Sequence, residues 1–217
     1  MSLDDVWRDV SKYISVYTSR NFDAVPSAPG VYAWFYPIEL PSRDVKDLAI
    51  ELSSILNYDS KIQDTFSSEA YVDFNWKRTK VSVSEESNAS LSSTSKQEWD
   101  RIVSNGEDLQ DFRKILLASS ILMPPLYIGK TNNLLRRCIE HRKGTDNKNE
   151  FHSRFESFTQ NKELENGKNF LSQNVDDLIF VCIRTDLINN RTNYESNVEE
   201  LLENILQLIA KPPYSRK

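Results

Sequence analysis

The chain has only two cysteines, Cys138 and Cys182, and neither stands in a CxxC pair. That removes a disulfide framework and a cysteine metal cage from consideration, and leaves two thiols expected to be reduced and buried in a cytoplasmic protein. No apolar run approaches the ~20 residues a bilayer-spanning helix needs. No basic start followed by an apolar stretch marks a secretory signal. Solenoid-type repeats are missing, and so is any appended zinc finger or other DNA-reading module. The net charge of −5 lacks the positive excess of a protein that coats nucleic acid with its whole surface.

What is present is the composition of a globular chain. Hydrophobic residues make up 39% and charged residues 27%, and 217 residues suffice for one domain with a sizeable core and room for insertions. Charge is uneven along it. Between Lys130 and Arg154, seven Lys and Arg residues (130, 136, 137, 142, 143, 148, 154) face three acids, Glu140, Asp146 and Glu150. A local basic stretch in an acidic chain points to a phosphate-facing patch, though a solvated charged helix gives the same pattern.

Periodicity predicts the elements. Leu3, Val6, Trp7, Val10, Tyr13, Ile14 and Tyr17 recur at helical spacing, so residues 2–19 read as an amphipathic helix within an N-terminal extension over 1–25. Gly30 to Tyr36, rich in β-branched and aromatic residues and stopped by Pro37, reads as a strand. A helix is expected over 43–57, strand-like material over 71–83, a Ser-rich loop over 84–95, and one or two helices over 96–121, broken near Asn105-Gly106. Leu126 to Gly129 is a short strand, followed by an N-cap at Thr131-Asn132 and a helix to about Arg142. Some helix is expected over 149–160. The apolar run from Asp177 to Arg184 suggests a central strand, and 193–210 an amphipathic helix closed by Pro212-Pro213. The result is an α/β (α+β) domain over 1–217, with a small antiparallel or mixed sheet flanked by helices and an insertion over 38–122.

Four separated pieces resemble one family in order. Pro29-Gly30-Val31-Tyr32 looks like the first signature of the GIY-YIG nucleases, and Leu126-Tyr127-Ile128-Gly129-Lys130 like the second. Arg137, ten residues after Tyr127, stands where the family carries its arginine. Glu203 precedes Lys211-Pro212-Pro213-Tyr214, as the family's metal-binding glutamate precedes a Lys-Pro-x-Tyr-like segment. Two departures accompany the match. About ninety residues, read as a long helical insert, separate signature strands that the family joins by a short hairpin. Ser215 stands where the family usually has asparagine, which puts full activity in question more than the fold.

The resemblance implies a divalent-metal-dependent endonuclease acting on DNA, with Mg²⁺ or Mn²⁺ held by Glu203. One carboxylate with waters and substrate oxygens suits Mg²⁺. It implies catalytic roles for Tyr32, Tyr127, Lys130, Arg137, His141 and Glu203. One tyrosine, Tyr32 before Tyr127, would help deprotonate the water, its phenol lowered by the Lys130 ammonium. Arg137 would fork onto phosphate oxygens. His141, one turn further along the same stripe, would bind phosphate or relay a proton, although a lone histidine beside an apolar stripe is as readily structural. Arg136 is expected to point away with Glu140 as a surface pair. Nucleic acid would meet Lys130, Arg137, His141, Arg142 and Ser215. Without the resemblance both tyrosines read as core residues, and Glu199 and Glu200 as solvated. A catalytically weak or inactive module of the same type, binding nucleic acid or a protein partner, is the alternative. A homodimer is an expected assembly.

Overall fold

In a computed structural model the described residues are 12–39, 67–74, 77–84, 93–145, 150–161, 172–189 and 198–215. The expected helix 43–57 lies outside them, as do most of the 84–95 loop and residues 1–11 of the expected N-terminal helix. The fold is α+β. Its centre is a wholly antiparallel four-stranded sheet in the order β1 (Ile14–Tyr17), β6 (Ile179–Arg184), β2 (Gly30–Phe35), β5 (Tyr127–Thr131). A second, two-stranded sheet is the hairpin of β3 (Ser67–Phe74) and β4 (Lys77–Ser84). The helices are α1 (Ser93–Ser104), α2 (Gly106–Ala118), α3 (Leu134–Lys143), α4 (Glu150–Asn161), the short α5 (Asp186–Asn189) and α6 (Val198–Ala210). None of the described helices is long and apolar enough to cross a membrane.

Two expectations need correction. Residues 14–17 are not helical: they form β1, paired with β6 from Ile14 opposite Ile183 to Tyr17 opposite Phe180. Ile14 and Val16 are β-branched and suit a pleated strand, and β6 would otherwise present an unpaired edge on that side. The insertion is not all helical either, since β3 and β4 sit in its middle. Its helices do break at Asn105, whose side chain caps α2 by accepting the Glu107 N–H at 3.0 Å. Trp99 of α1 meets Phe112 of α2 edge to face.

The insertion leaves the sheet and returns to it. The Ile38 N–H donates to the Ser120 hydroxyl at 2.8 Å, closing the two ends of the insertion onto each other across 82 residues of sequence. Loop-closure entropy rises only slowly with length, so a few contacts at the base suffice. β2 and β5 therefore lie side by side, as in a hairpin, with Tyr32 opposite Gly129 and Trp34 opposite Tyr127.

Strand alternation then sorts the side chains. Tyr32, Trp34, Tyr127, Phe180 and Cys182 share one face, and α3 and α4 cover it with Leu134, Cys138, His141, Phe151 and Phe155. Tyr214, fully buried, closes this aromatic core against Phe151 and Phe155. The interior position of β6, between β1 and β2, explains its continuous apolar run. Both cysteines are free and buried, and burial pushes their thiols up to about 12 for Cys138 and about 11 for Cys182.

Candidate active site

The site forms where β2 and β5 run side by side. Gly129 makes the close approach of β2 and β5 feasible, and Gly30 that of β2 and β6. A Cβ on Gly129 would lie 2.5 Å from the Tyr32 hydroxyl and 2.7 Å from the Tyr127 ring, so only glycine lets the Tyr32 phenol cross its neighbour strand. A Cβ on Gly30 would strike the Ile183 carbonyl of β6. The rings of Tyr32 and Tyr127 stack with centroids 5.9 Å apart, on the same face.

Helix α3 delivers the next two groups. It starts at Asn133, whose side chain accepts the Arg136 N–H at 2.8 Å, one residue later than the Thr131-Asn132 cap expected from sequence. Leu134, Cys138 and His141, at spacings of four and three, are its buried stripe. The Tyr32 hydroxyl is 3.0 Å from Nε2 of His141, and the imidazole stands edge-on to the Tyr32 ring. His141 also lies over Trp34 and beside Phe151. Arg137, on the adjoining stripe, acts electrostatically on the Tyr32 phenol.

Helix α6 and the segment after it run along the open edge of β5. The Gln207 carboxamide donates to the Ile128 carbonyl at 3.0 Å and to Oε1 of Glu203 at 3.2 Å. The Ser215 hydroxyl accepts the Ile128 N–H at 3.0 Å and lies 3.2 Å from the Ile128 carbonyl. The Glu203 carboxylate accepts the backbone N–H of Lys130. These bonds occupy backbone groups that an edge strand would otherwise leave open. They also hold Glu203 close enough for its charge to act on Tyr32.

The electrostatics of the site are set by burial. The Tyr32 phenol is held well above its ordinary value, mainly by desolvation and then by the neighbouring Tyr127, with Arg137 opposing. The Glu203 carboxyl is also raised. Desolvation dominates, the Lys130 ammonium and N–H oppose it, and Glu200 adds to it. Both groups are costly to ionise where they stand.

Tyr32, Tyr127, Arg137, His141 and Glu203 thus come together from β2, β5, α3 and α6. Other expected participants do not join them in the anticipated way. Lys130 belongs to the opposite strand parity, level with Val31, and its ammonium bonds to Glu200 at 2.9 Å. The cation acting on Tyr32 is Arg137, and the phenol is raised where a lowering by Lys130 was expected. Arg142 pairs with Asp176 and lies over the Phe22 ring, 4.7 Å from its centroid, so its partners belong to the far side of α3. The Ser215 hydroxyl serves the β5 backbone. The expected surface pair of Arg136 with Glu140 forms at 3.5 Å, but Glu140 also receives Arg137 at 3.1 Å, so the two arginines share one carboxylate. Glu199 accepts a hydrogen bond from Thr185 and is not merely solvated.

The chain was compared with protein-family models, with curated proteins and with solved structures, and none of them matches it. The reading of the site therefore stands on its geometry and on the four sequence pieces. Gln207 was not among the residues expected from sequence, and Glu140 was expected only as the partner of Arg136. The one signal for Gln207 was its place four residues after Glu203, one turn along the same helix stripe.

Among the described residues no group of three or more His, Cys, Asp or Glu side chains gathers to hold a metal. The donor set here is one carboxylate, Glu203, with two phenols near it. Hard oxygen donors and a single protein carboxylate fit Mg²⁺ or Mn²⁺ carrying its own waters and substrate oxygens. Glu203 also keeps lone pairs to spare beyond the bonds from Gln207 and Lys130.

Proposed function

We propose that this protein is a GIY-YIG-type endonuclease that hydrolyses DNA phosphodiester bonds with Mg²⁺ or Mn²⁺, in the cytoplasm. The observation that carries the reading is that Tyr32 and Tyr127, on adjacent antiparallel strands, are joined by Arg137 and His141 from α3 and Glu203 from α6, all remote in sequence. A homodimer and a DNA substrate are parts of the same proposal.

Each group then has a task. Arg137 supplies a planar fork for phosphate oxygens, released in part from Glu140 as the phosphate arrives. With the imidazole proton on Nδ1, the Tyr32 hydroxyl would donate to Nε2 of His141, and a water bonded to the Tyr32 oxygen could pass a proton along to the imidazole. This path suits a phenol that burial keeps from ionising alone. Tyr127 stacks on Tyr32 and fixes its ring. A bound divalent ion on Glu203 would neutralise charge on the phosphate and stabilise the leaving oxygen. Glu203 holds that position through Gln207 and the Lys130 N–H.

A plasmid-nicking assay tests the reading. Cleavage should require Mg²⁺ or Mn²⁺, stop with chelator, and be lost in Glu203→Gln protein that keeps its circular dichroism spectrum. Unchanged cleavage in that variant removes the metal role. The raised phenol of Tyr32 favours a second reading, a catalytically weak module of the same type that binds nucleic acid. Salt-dependent DNA binding without metal-dependent cleavage would select it.

A further inference from the structure

Helix α6 carries one broad apolar stripe opposite the side that bonds to β5. Leu202 and Leu206 are half-buried, while Leu201, Ile205, Leu208 and Ile209 face outward at 63%, 45%, 75% and 75% exposure. No residue of this helix is fully buried. The apolar stripe of a helix is normally covered by a partner, and four adjoining side chains this exposed form a patch of a size that marks an interaction surface.

The order of the residues says what covers it. The segment Leu201-Leu202-Glu203-Asn204-Ile205-Leu206-Gln207-Leu208-Ile209 is nearly a palindrome in hydrophobicity about Ile205. Set antiparallel against its own copy with Ile205 on the axis, it places Leu201 level with the partner copy's Ile209 and Leu202 level with its Leu208. At about 100° per residue these lie on alternate sides of the Ile205 line, so large side chains meet gaps. A closed twofold contact of this kind is isologous by construction.

We propose that the outward face of α6 is a homodimer interface, a twofold antiparallel helix pair centred on Ile205. It gives the homodimer proposed above a surface, on observations independent of the nuclease chemistry. Glu203 and Gln207 lie roughly 160° around the helix from Ile205, on the β5 side, so the contact leaves the candidate site uncovered.

Sedimentation velocity of the full chain over a concentration series, with three sets of variants, tests this. The chain should dimerise in a concentration-dependent way. Ile205→Lys and Leu208→Lys should be monomeric at concentrations where the unaltered chain is dimeric. Under mild oxidation Ile205→Cys should cross-link to itself, because only a residue on the axis meets its own copy within the ~7 Å between Cα atoms that a disulfide requires. Leu201→Cys and Ile209→Cys should cross-link only when mixed. Cys138 and Cys182 are buried and do not compete. The cysteine variants keep the face close to apolar and so remain informative if a lysine variant fails to fold. A chain monomeric at every concentration would overturn the proposal, and a simultaneous loss of thermal stability in Ile205→Lys would assign the face to the chain's own apolar residues, such as Leu3, Val6, Trp7 and Val10. A dimer that survives both lysine substitutions, or Ile205→Cys without cross-linking, would overturn it as well.

Discussion

Helices α3 and α6 flank the same pair of strands and bring complementary groups to it, but they are held in different ways. Helix α3 is anchored in the aromatic core by Leu134, Cys138 and His141, and is capped by Asn133. Helix α6 buries no side chain fully and is tied to β5 by Gln207, Glu203 and the adjoining Ser215, all bonding to backbone. The cation and the imidazole thus sit on a rigid support, while the carboxylate sits on a helix fixed by polar bonds at a strand edge. Stability should be concentrated on the α3 side, and sensitivity of activity without loss of fold on the α6 side.

The largest expected effect tests the second half of that contrast. Glu203→Gln should abolish metal-dependent cleavage, and at neutral pH it should also raise thermal stability. The sign follows from the raised carboxyl. The folded chain holds the Glu203 proton more tightly than the unfolded chain does, so this group favours folding at low pH. That contribution is lost as pH rises through its folded-state value. At neutral pH the desolvated carboxylate is a burden that glutamine removes. Melting curves of the two proteins should converge as pH falls through the carboxylate range. A Glu203→Gln protein less stable than its parent at neutral pH would show that the carboxylate is structural.

On the α3 side, Leu134→Ala should cost roughly 2–5 kcal/mol in urea unfolding, because it opens a cavity beneath the tyrosines. Leu202→Ala in α6, half-exposed, should cost clearly less. Equal losses would erase the distinction between the helices. Third in size, Arg137→Lys should reduce turnover sharply with charge conserved, because the planar fork is lost. Arg136→Lys should do little, since it keeps a cation beside Glu140 and Arg136 is the more exposed partner. Turnover of the two variants on one DNA substrate decides it.

What the sequence made legible follows a physical pattern. The two signature strands were readable because apolar and aromatic residues concentrate between prolines, and α3, α4 and α6 because their spacing is helical. Strand β1 was not readable, since Tyr13, Ile14 and Tyr17 fit a helical stripe as well as a strand, and only pairing with β6 decides between them. The misplacement of Lys130 was avoidable. On a strand, Tyr127 and Gly129 face one way and Lys130 the other, so its ammonium belongs with α6 and Glu200, away from the Tyr32 phenol. The bonds from Gln207 and Ser215 to Ile128 were beyond reach, because they depend on how α6 and the segment after it lie along an edge 79 and 87 residues away in sequence.

Gln207→Ala sharpens the comparison at smaller amplitude. The Ile128 carbonyl keeps the Ser215 hydroxyl, so stability should fall by only about 0.5–1.5 kcal/mol. Glu203 loses the amide that orients it, so the Mg²⁺ concentration for half-maximal cleavage should rise while saturating turnover falls less. A loss of turnover with unchanged metal dependence would mean that Gln207 acts on the strand and not through Glu203.

The smallest effect is expected at Ser215. Its hydroxyl meets both the N–H and the carbonyl of Ile128, closing the β5 edge much as another strand would. An asparagine carboxamide carries an acceptor and a donor in that same relation, so Ser215→Asn can make both bonds with a longer reach. Residue 215 is only half-buried, so two extra heavy atoms can extend toward its exposed side. Stability should change by no more than about 0.5 kcal/mol. Cleavage should stay level or rise modestly, because a firmer edge holds the α6 side of the site. Ser215→Ala removes both bonds, leaves the Ile128 N–H without this partner, and should cost about 1–3 kcal/mol. If Ser215→Asn instead lowers cleavage strongly while stability holds, the serine hydroxyl contacts the substrate, and the α6 edge is part of the reacting surface and not only its support.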